Sequence, residues 1–216
     1  MSRHFVCFLW VVLFSLTPAV LAQDEFSADM YNTLNGKDKD MVQQAKIYMV
    51  KDKLRMEPQQ RGEGMGGVVI VNMATQTSTV LMPQQKMYME MPYGQGPQRQ
   101  AFSFFRTGDV SNACGDWQKL PANHGATCRK VGNETVNGRN TVKYEGIKAD
   151  GTTDYVWLDP NLRFPVKWQS KNGAGELRNI SVGSQPASLF TVPAGYQKMQ
   201  MPAGMPGGMP PNMQHP

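Results

Sequence analysis

The feature that most limits what this chain can become is a period-two alternation of apolar and polar side chains between residues 45 and 92. Lys46-Ile47-Tyr48-Met49-Val50 and Lys53-Leu54-Arg55-Met56-Glu57 both carry it, and it marks strands with one face buried and one in water. The pattern predicts strands at 45–50, 53–58 and 68–73, and a fourth stretch at 78–92 that folds on itself near residues 83–86. Asp52-Lys53 provides a tight reversal, and the Gly-rich run 62–67 separates the second strand from the third. Connections this short pair strands antiparallel, because a parallel crossover needs about a dozen residues or more. The expected product is a curved meander with an apolar concave face, continued by the rest of the chain.

The first residues read as an address. Arg3 and His4 precede an apolar run at 5–16, Thr17-Pro18 breaks it, and Val20-Leu21-Ala22 offers small residues to a signal peptidase. The run is shorter than the roughly 20 apolar residues of a spanning helix. The expectation is a signal peptide over 1–22, cleaved after Ala22, and a periplasmic protein without a transmembrane anchor. Position 23 is Gln and not Cys, so a lipid anchor is not expected there.

The cysteines agree with an oxidising compartment. Setting aside Cys7 in the signal, Cys114 and Cys128 form an even pair, and a disulfide stapling an irregular loop is the expectation. The formal charge of +5 is spread along the strands and not gathered into Lys/Arg runs, which argues against a nucleic-acid partner.

Phe26 to Leu34 alternates as a first strand, followed by the Asn35-Gly36 turn signal. Residues 37–44 are polar and read as a turn or a brief helix. The Gly/Pro-rich loop 93–98 precedes a segment at 100–107 that reads as a helical turn carrying Phe102, Phe104 and Phe105 over the sheet. From residue 131 the strand rhythm returns at 131–136, 141–147, 153–158, 165–170 and 176–182, with Asn137-Gly138, Asp159-Pro160-Asn161 and similar turns between. Leu189-Phe190-Thr191-Val192-Pro193 adds a last apolar patch. The fold class expected is mainly β (α+β): an open antiparallel half-barrel of about ten strands with short helical lid segments. The domain would occupy 23–198, and 199–216 would be a disordered Met/Pro/Gly-rich tail.

Several pieces of the chain, taken in order, resemble a known family. They are the Phe26-Ser27-Ala28-Asp29 opening, Lys46 to Glu57, Met87-Tyr88-Met89-Glu90 and Gly132-Asn133-Glu134 with Thr141-Val142-Lys143-Tyr144. Val156-Trp157-Leu158-Asp159 with Phe164-Pro165-Val166-Lys167, and Phe190 to Tyr196, complete the set. The chain is similar to an uncharacterised bacterial periplasmic domain family related to the lipoprotein carriers LolA, LolB and LppX. The resemblance implies a half-barrel closed by helical lids around an apolar cavity that in the carriers holds acyl chains. It brings no functional residue with it, because the lids are thin here and the disulfide loop and Met-rich tail have no counterpart.

Catalytic chemistry is hard to assemble from this sequence. His124 is the one histidine between the signal and the tail, there is no free thiol outside the signal, and nucleophile-elbow, zinc-protease and phosphate-loop motifs are absent. The reading is a non-enzyme. The binding candidates are the apolar alternation itself: Ile47, Met49, Leu54, Met56, Val69, Val71, Val80, Met82, Met87, Met89 and Met91, with Trp157 and Trp168 later. Such a face either fills with its own side chains or holds an apolar ligand. A lipid or other amphipathic ligand, bound without a cofactor, is therefore expected. Two other readings stand beside it: an envelope scaffold or sensor that binds another protein, and a Cu(I) module. The copper reading rests on the soft thioethers of Met199, Met201, Met205, Met209 and Met213, with His215 close behind.

Overall fold

The computed structural model describes residues 25–35, 41–59, 67–92, 106–120 and 123–199. Its strands are β1 (Phe26–Leu34), β2 (Met41–Val50), β3 (Lys53–Pro58), β4 (Val68–Asn72), β5 (Thr77–Met82), β6 (Met87–Pro92), β7 (Thr127–Val136), β8 (Arg139–Ile147), β9 (Thr153–Asp159), β10 (Phe164–Ser170), β11 (Gly173–Val182) and β12 (Gln197–Lys198). Helix is scarce among the described residues: a five-residue α1 (Cys114–Gln118) and 3-10 turns at Val110–Asn112 and Ala187–Phe190. All twelve strands lie in one open sheet, in the order β12-β6-β5-β4-β3-β2-β1-β11-β10-β9-β8-β7. Only β12, at one edge, runs parallel to its neighbour.

Two antiparallel meanders make up this sheet, and β1 joins them. It pairs with β2 along its whole length, from Phe26 opposite Met49 to Leu34 opposite Met41. On its other side it pairs with β11, from Phe26 opposite Val182 to Leu34 opposite Gly173. Phe26, Ala28 and Met30 alternate inward and are buried. Phe26 meets Phe164 of β10 edge to face at 5.6 Å, a favoured aromatic geometry.

The full-length β1–β2 pairing explains one departure from the sequence reading. Residues 41–44 are strand, not turn or helix, because β1 presents hydrogen-bonding groups as far as Leu34 and β2 satisfies them. Twelve strands stand where about ten were expected. The two-residue β12 has no alternation to announce it. The Asn137-Gly138 hairpin turn has both residues at positive φ, 48° and 77°, as a type I′ turn requires.

The disulfide joins Cys114 to Cys128 with Cα atoms 5.5 Å apart. Its segment is not the irregular, weakly apolar loop expected. α1 and the preceding 3-10 turn pack Val110, Ala113, Trp117 and Leu120 against Tyr144, Val156 and Leu158 of the second meander. The Tyr144 hydroxyl donates to the Val110 carbonyl at 2.7 Å, so the lobe is hydrogen-bonded as well as stapled. Arg106 ties the start of this lobe to both meanders, donating to the Lys51 carbonyl at 2.8 Å and the Leu162 carbonyl at 3.3 Å. The expected signal peptide (1–22), the Phe102/Phe104/Phe105 lid and the tail beyond Met199 lie outside the described residues.

Two consequences are measurable. Replacing both cysteines with serine should lower unfolding free energy by about 3 kcal/mol, the entropy of a closed loop of about 15 residues, read by urea denaturation under oxidising conditions. At Gly146, an added Cβ would lie 2.2 Å from the Trp117 ring. Gly146→Ala should therefore cost about 1–3 kcal/mol and raise the solvent exposure of Trp117, read by fluorescence, as the lobe lifts from the sheet.

Candidate ligand-binding face

Strand register settles which side chains share a face. One row runs Phe26, Met49, Leu54, Val71, Ser78 and Met91 across β1 to β6; the next runs Ala28, Ile47, Met56, Val69, Val80 and Met89. Met82 and Met87 face each other at the end of the β5–β6 pair. The eleven candidates drawn from the first meander therefore lie on one face of one sheet. The intervening residues, such as Tyr48, Arg55, Ile70, Thr79 and Glu90, form a row on the opposite face. There the C-terminal strap crosses: Arg55 donates to the Leu189 carbonyl at 2.8 Å, and Phe190 is buried.

Burial grades along the candidate face. Ile47, Met49, Leu54 and Val69 are sealed in the central cluster with Phe26, Phe164, Val166 and Leu177, and Val71 and Met91 are buried as well. Met56, Val80, Met82, Met87 and Met89 are only half-buried. The centre of the face is thus core, whereas the strip formed by Met56, Val80, Met82, Met87 and Met89 stays in contact with solvent.

The two tryptophans occupy different settings. Trp168 is half-buried, lies over Gly175, and its Nε1–H reaches the Asn32 Oδ1 at 3.3 Å. Asn32 is itself buried, and its Nδ2 has no hydrogen-bond partner among the described residues. Trp157 is buried beneath two ammonium groups, with Lys143 Nζ and Lys167 Nζ each 4.7 Å from its ring centroid. Its Nε1–H donates to Glu134 at 2.6 Å. Those contacts make Trp157 a structural anchor of β9. The sequence reading passed over Asn32, although it continues the buried alternation of Phe26, Ala28 and Met30, because a polar residue breaks the apolar signal.

The charged groups beside this face serve the sheet. Lys143 Nζ, at 2.8 Å, is the main influence holding the Glu134 carboxyl below the usual carboxylate range, with the Trp157 indole behind it. Arg129, at 2.5 Å, does the same for Glu145, helped by the Tyr155 hydroxyl at 2.9 Å. Asp29 is lowered chiefly by the Asn179 amide, with Lys46 adding to it. Asp159 is buried, pairs with Arg139 and accepts from the Asn161 and Leu162 amides at 2.8 and 3.1 Å, which fixes the β9–β10 turn. His124 is exposed, and no group of three or more His, Cys, Asp or Glu residues among the described residues is placed to hold a metal ion. A groove of about 360 Å³ lies away from the candidate face, lined by Val50, Lys51, Asp52, Lys53, Ala187 and Phe190 with Glu25 and Gln185.

Solved proteins share this fold, although no family model and no curated protein matches the chain. An uncharacterised conserved protein from Thermus thermophilus superposes with a TM-score of 0.50 at 10% identity, over 83% of this chain and 96% of that one. MucB gives 0.50 at 15% identity over 80% of this chain, which spans 58% of MucB's length. A LolA superfamily protein from Nitrosomonas europaea is also similar, at 0.41 and 12% identity, over 79% of this chain and 91% of that one. At such identities the likeness is one of fold. No helix among the described residues is long and apolar enough to cross a membrane.

The carboxylates make a pH prediction. A carboxyl held low in the folded protein stabilises it above the ordinary carboxylate value and loses that contribution as pH falls through the folded value. Thermal stability should therefore decline on acidification below the usual carboxylate range. E134Q/E145Q should flatten that decline, because two of the groups responsible no longer titrate; melting followed by circular dichroism across pH checks it.

Proposed function

We propose that this chain is a non-catalytic periplasmic binding protein whose curved half-barrel sheet takes an apolar or lipid-like chain along Met56, Val80, Met82, Met87 and Met89. The observation that carries the reading is uneven burial: the same face is sealed at Ile47, Met49, Leu54 and Val69 and half-open at Met56, Val80, Met82, Met87 and Met89. A strip of half-buried apolar side chains beside a sealed core offers a ligand contact area without unfolding anything. Methionine suits it, because an unbranched polarizable side chain re-packs around ligands of varied shape. The orphan Asn32 amide supplies a polar donor deeper in the same face, fitted to an acyl carbonyl or carboxylate. The expected signal peptide over 1–22 and the disulfide support the periplasmic address.

Palmitate is the probe for the test, titrated into the protein over residues 23–216 and read by native mass spectrometry and by displacement of a fluorescent fatty acid. Wild type should carry one acyl chain per protein. Met89→Asp should weaken uptake tenfold or more by placing a charge on the strip, while Val42→Asp, at an exposed position of β2, should not. Absent uptake by wild type, or uptake unaffected by a folded Met89→Asp protein, would sink the proposal.

A further inference from the structure

We infer that the methionines gathered where β5, β6 and β12 meet form a thioether site for a soft monovalent cation, Cu(I), with Ag(I) as its redox-inert analogue. The placement follows from register. Met82 and Met87 are directly opposite across the β5–β6 pair, so their Cβ atoms stand about 4.5–5.5 Å apart. Met89 is on the same face two residues further along β6, about 7 Å on. On the other flank β12 runs parallel to β6 with Gln197 opposite Met87, and the Met199 amide donates to the Tyr88 carbonyl at 2.7 Å, the next rung of that ladder. Met199 thus stands beside Met89 and shares the alternation of Gln197 and Met87. Three strands bring four thioethers to one patch.

Chemistry narrows what the patch would take. A thioether is a neutral, soft donor that suits Cu(I) over the hard divalent ions. The acidic residue nearest in sequence, Glu90, alternates to the opposite face and is held there by Lys198. No thiolate competes among the described residues, since Cys114 and Cys128 are joined. All four methionines are half-buried, so the sulfurs keep access to solvent while the sheet fixes their backbones. Strand positions that needed only an apolar face would be served better by Val or Ile, which favour the pleated backbone. Binding is a ligand exchange in which the ion leaves acetonitrile or water for sulfur, with no change of oxidation state. The expected tail ligands Met201, Met205, Met209, Met213 and His215 lie outside the described residues and form no part of this site.

The experiment titrates the protein over residues 23–216 anaerobically with acetonitrile-stabilised Cu(I), and separately with Ag(I). Stoichiometry comes from native mass spectrometry and affinity from competition with a chromogenic Cu(I) chelator. Wild type should hold one tightest ion with a sulfur-only shell by X-ray absorption. M82L/M87L/M89L, which conserves apolar volume, should weaken that ion tenfold or more. M199L, at the sheet edge, gives a second variant whose folding does not depend on the core and should weaken it as well. M201L/M205L/M209L/M213L/H215A should keep it. The inference is overturned if wild type binds no ion, if the sheet variants bind as wild type does, or if the tail variant alone loses the tightest ion.

Discussion

Pairing on both sides of β1 is the interaction on which the rest of this molecule depends. Without it the chain would be two separate five-stranded meanders with their apolar faces unjoined. β1 hydrogen-bonds β2 along one side and β11 along the other, so the N-terminal strand is the centre of the sheet and not its edge. The apolar row of each meander then continues into the other: Met30 lies opposite both Ala45 and Leu177. The cost is long-range order, because β1 and β11 are separated by most of the chain. Loop closure of that length makes folding slower, not the fold weaker.

Burial follows distance from that seam. Strands adjacent to β1 have neighbours on both sides and the opposing residues Phe164, Val166 and Leu177 to pack against. Strands four or five places away have only their immediate partners, and of their inward side chains Val80, Met82, Met87 and Met89 stop at half-burial, whereas Ser78 and Met91 are covered. The functional reading is a consequence of this geometry: a sheet that is open at its flank keeps apolar surface in reach of a ligand, whereas a closed barrel would hide it. The second meander solves the same problem differently, laying the disulfide lobe over Tyr144, Val156 and Leu158.

The first meander was legible in the sequence because its strands are short and adjacent, and β2 and β3 alternate. A period of two also assigns each side chain a face, so Ile47, Met49, Leu54 and Met56 group together on the pattern alone. Less was legible where tertiary contacts decide. Met41 to Gln44 carry polar residues, yet their backbone is strand because β1 requires a partner. The lobe around Cys114 looked irregular because its apolar residues, Val110, Trp117 and Leu120, are spaced for neither helix nor strand and acquire meaning only against β8 and β9. Bulges hide faces too. The extra residue Val166 between Pro165 and Lys167 shifts the alternation of β10 against β9, so period alone does not assign surroundings to Trp157 and Trp168. Both were expected to line a cavity; Trp157 sits in the central cluster with Ile47, Met49 and Leu54, and two lysines and Glu134 hold its ring in place.

An open sheet has two edges, and each invites pairing with another chain. At β7 the edge carries a bulge at Val131 and the cations Arg129 and Lys130, devices that twist and charge a strand against continuation. At β6 the solution is internal. The strap from Gly183 crosses the opposite face, docks Phe190 and Arg55, and returns to lay β12 along the exposed edge. Two ladder hydrogen bonds, from Gln197 to the Lys86 carbonyl and from Met199 to the Tyr88 carbonyl, cover that edge. The same contact brings a fourth methionine to Met82, Met87 and Met89. Protection of the edge and assembly of the soft-donor patch are therefore one structural act, and any change that frees β12 exposes the edge of β6 as it disperses the thioethers.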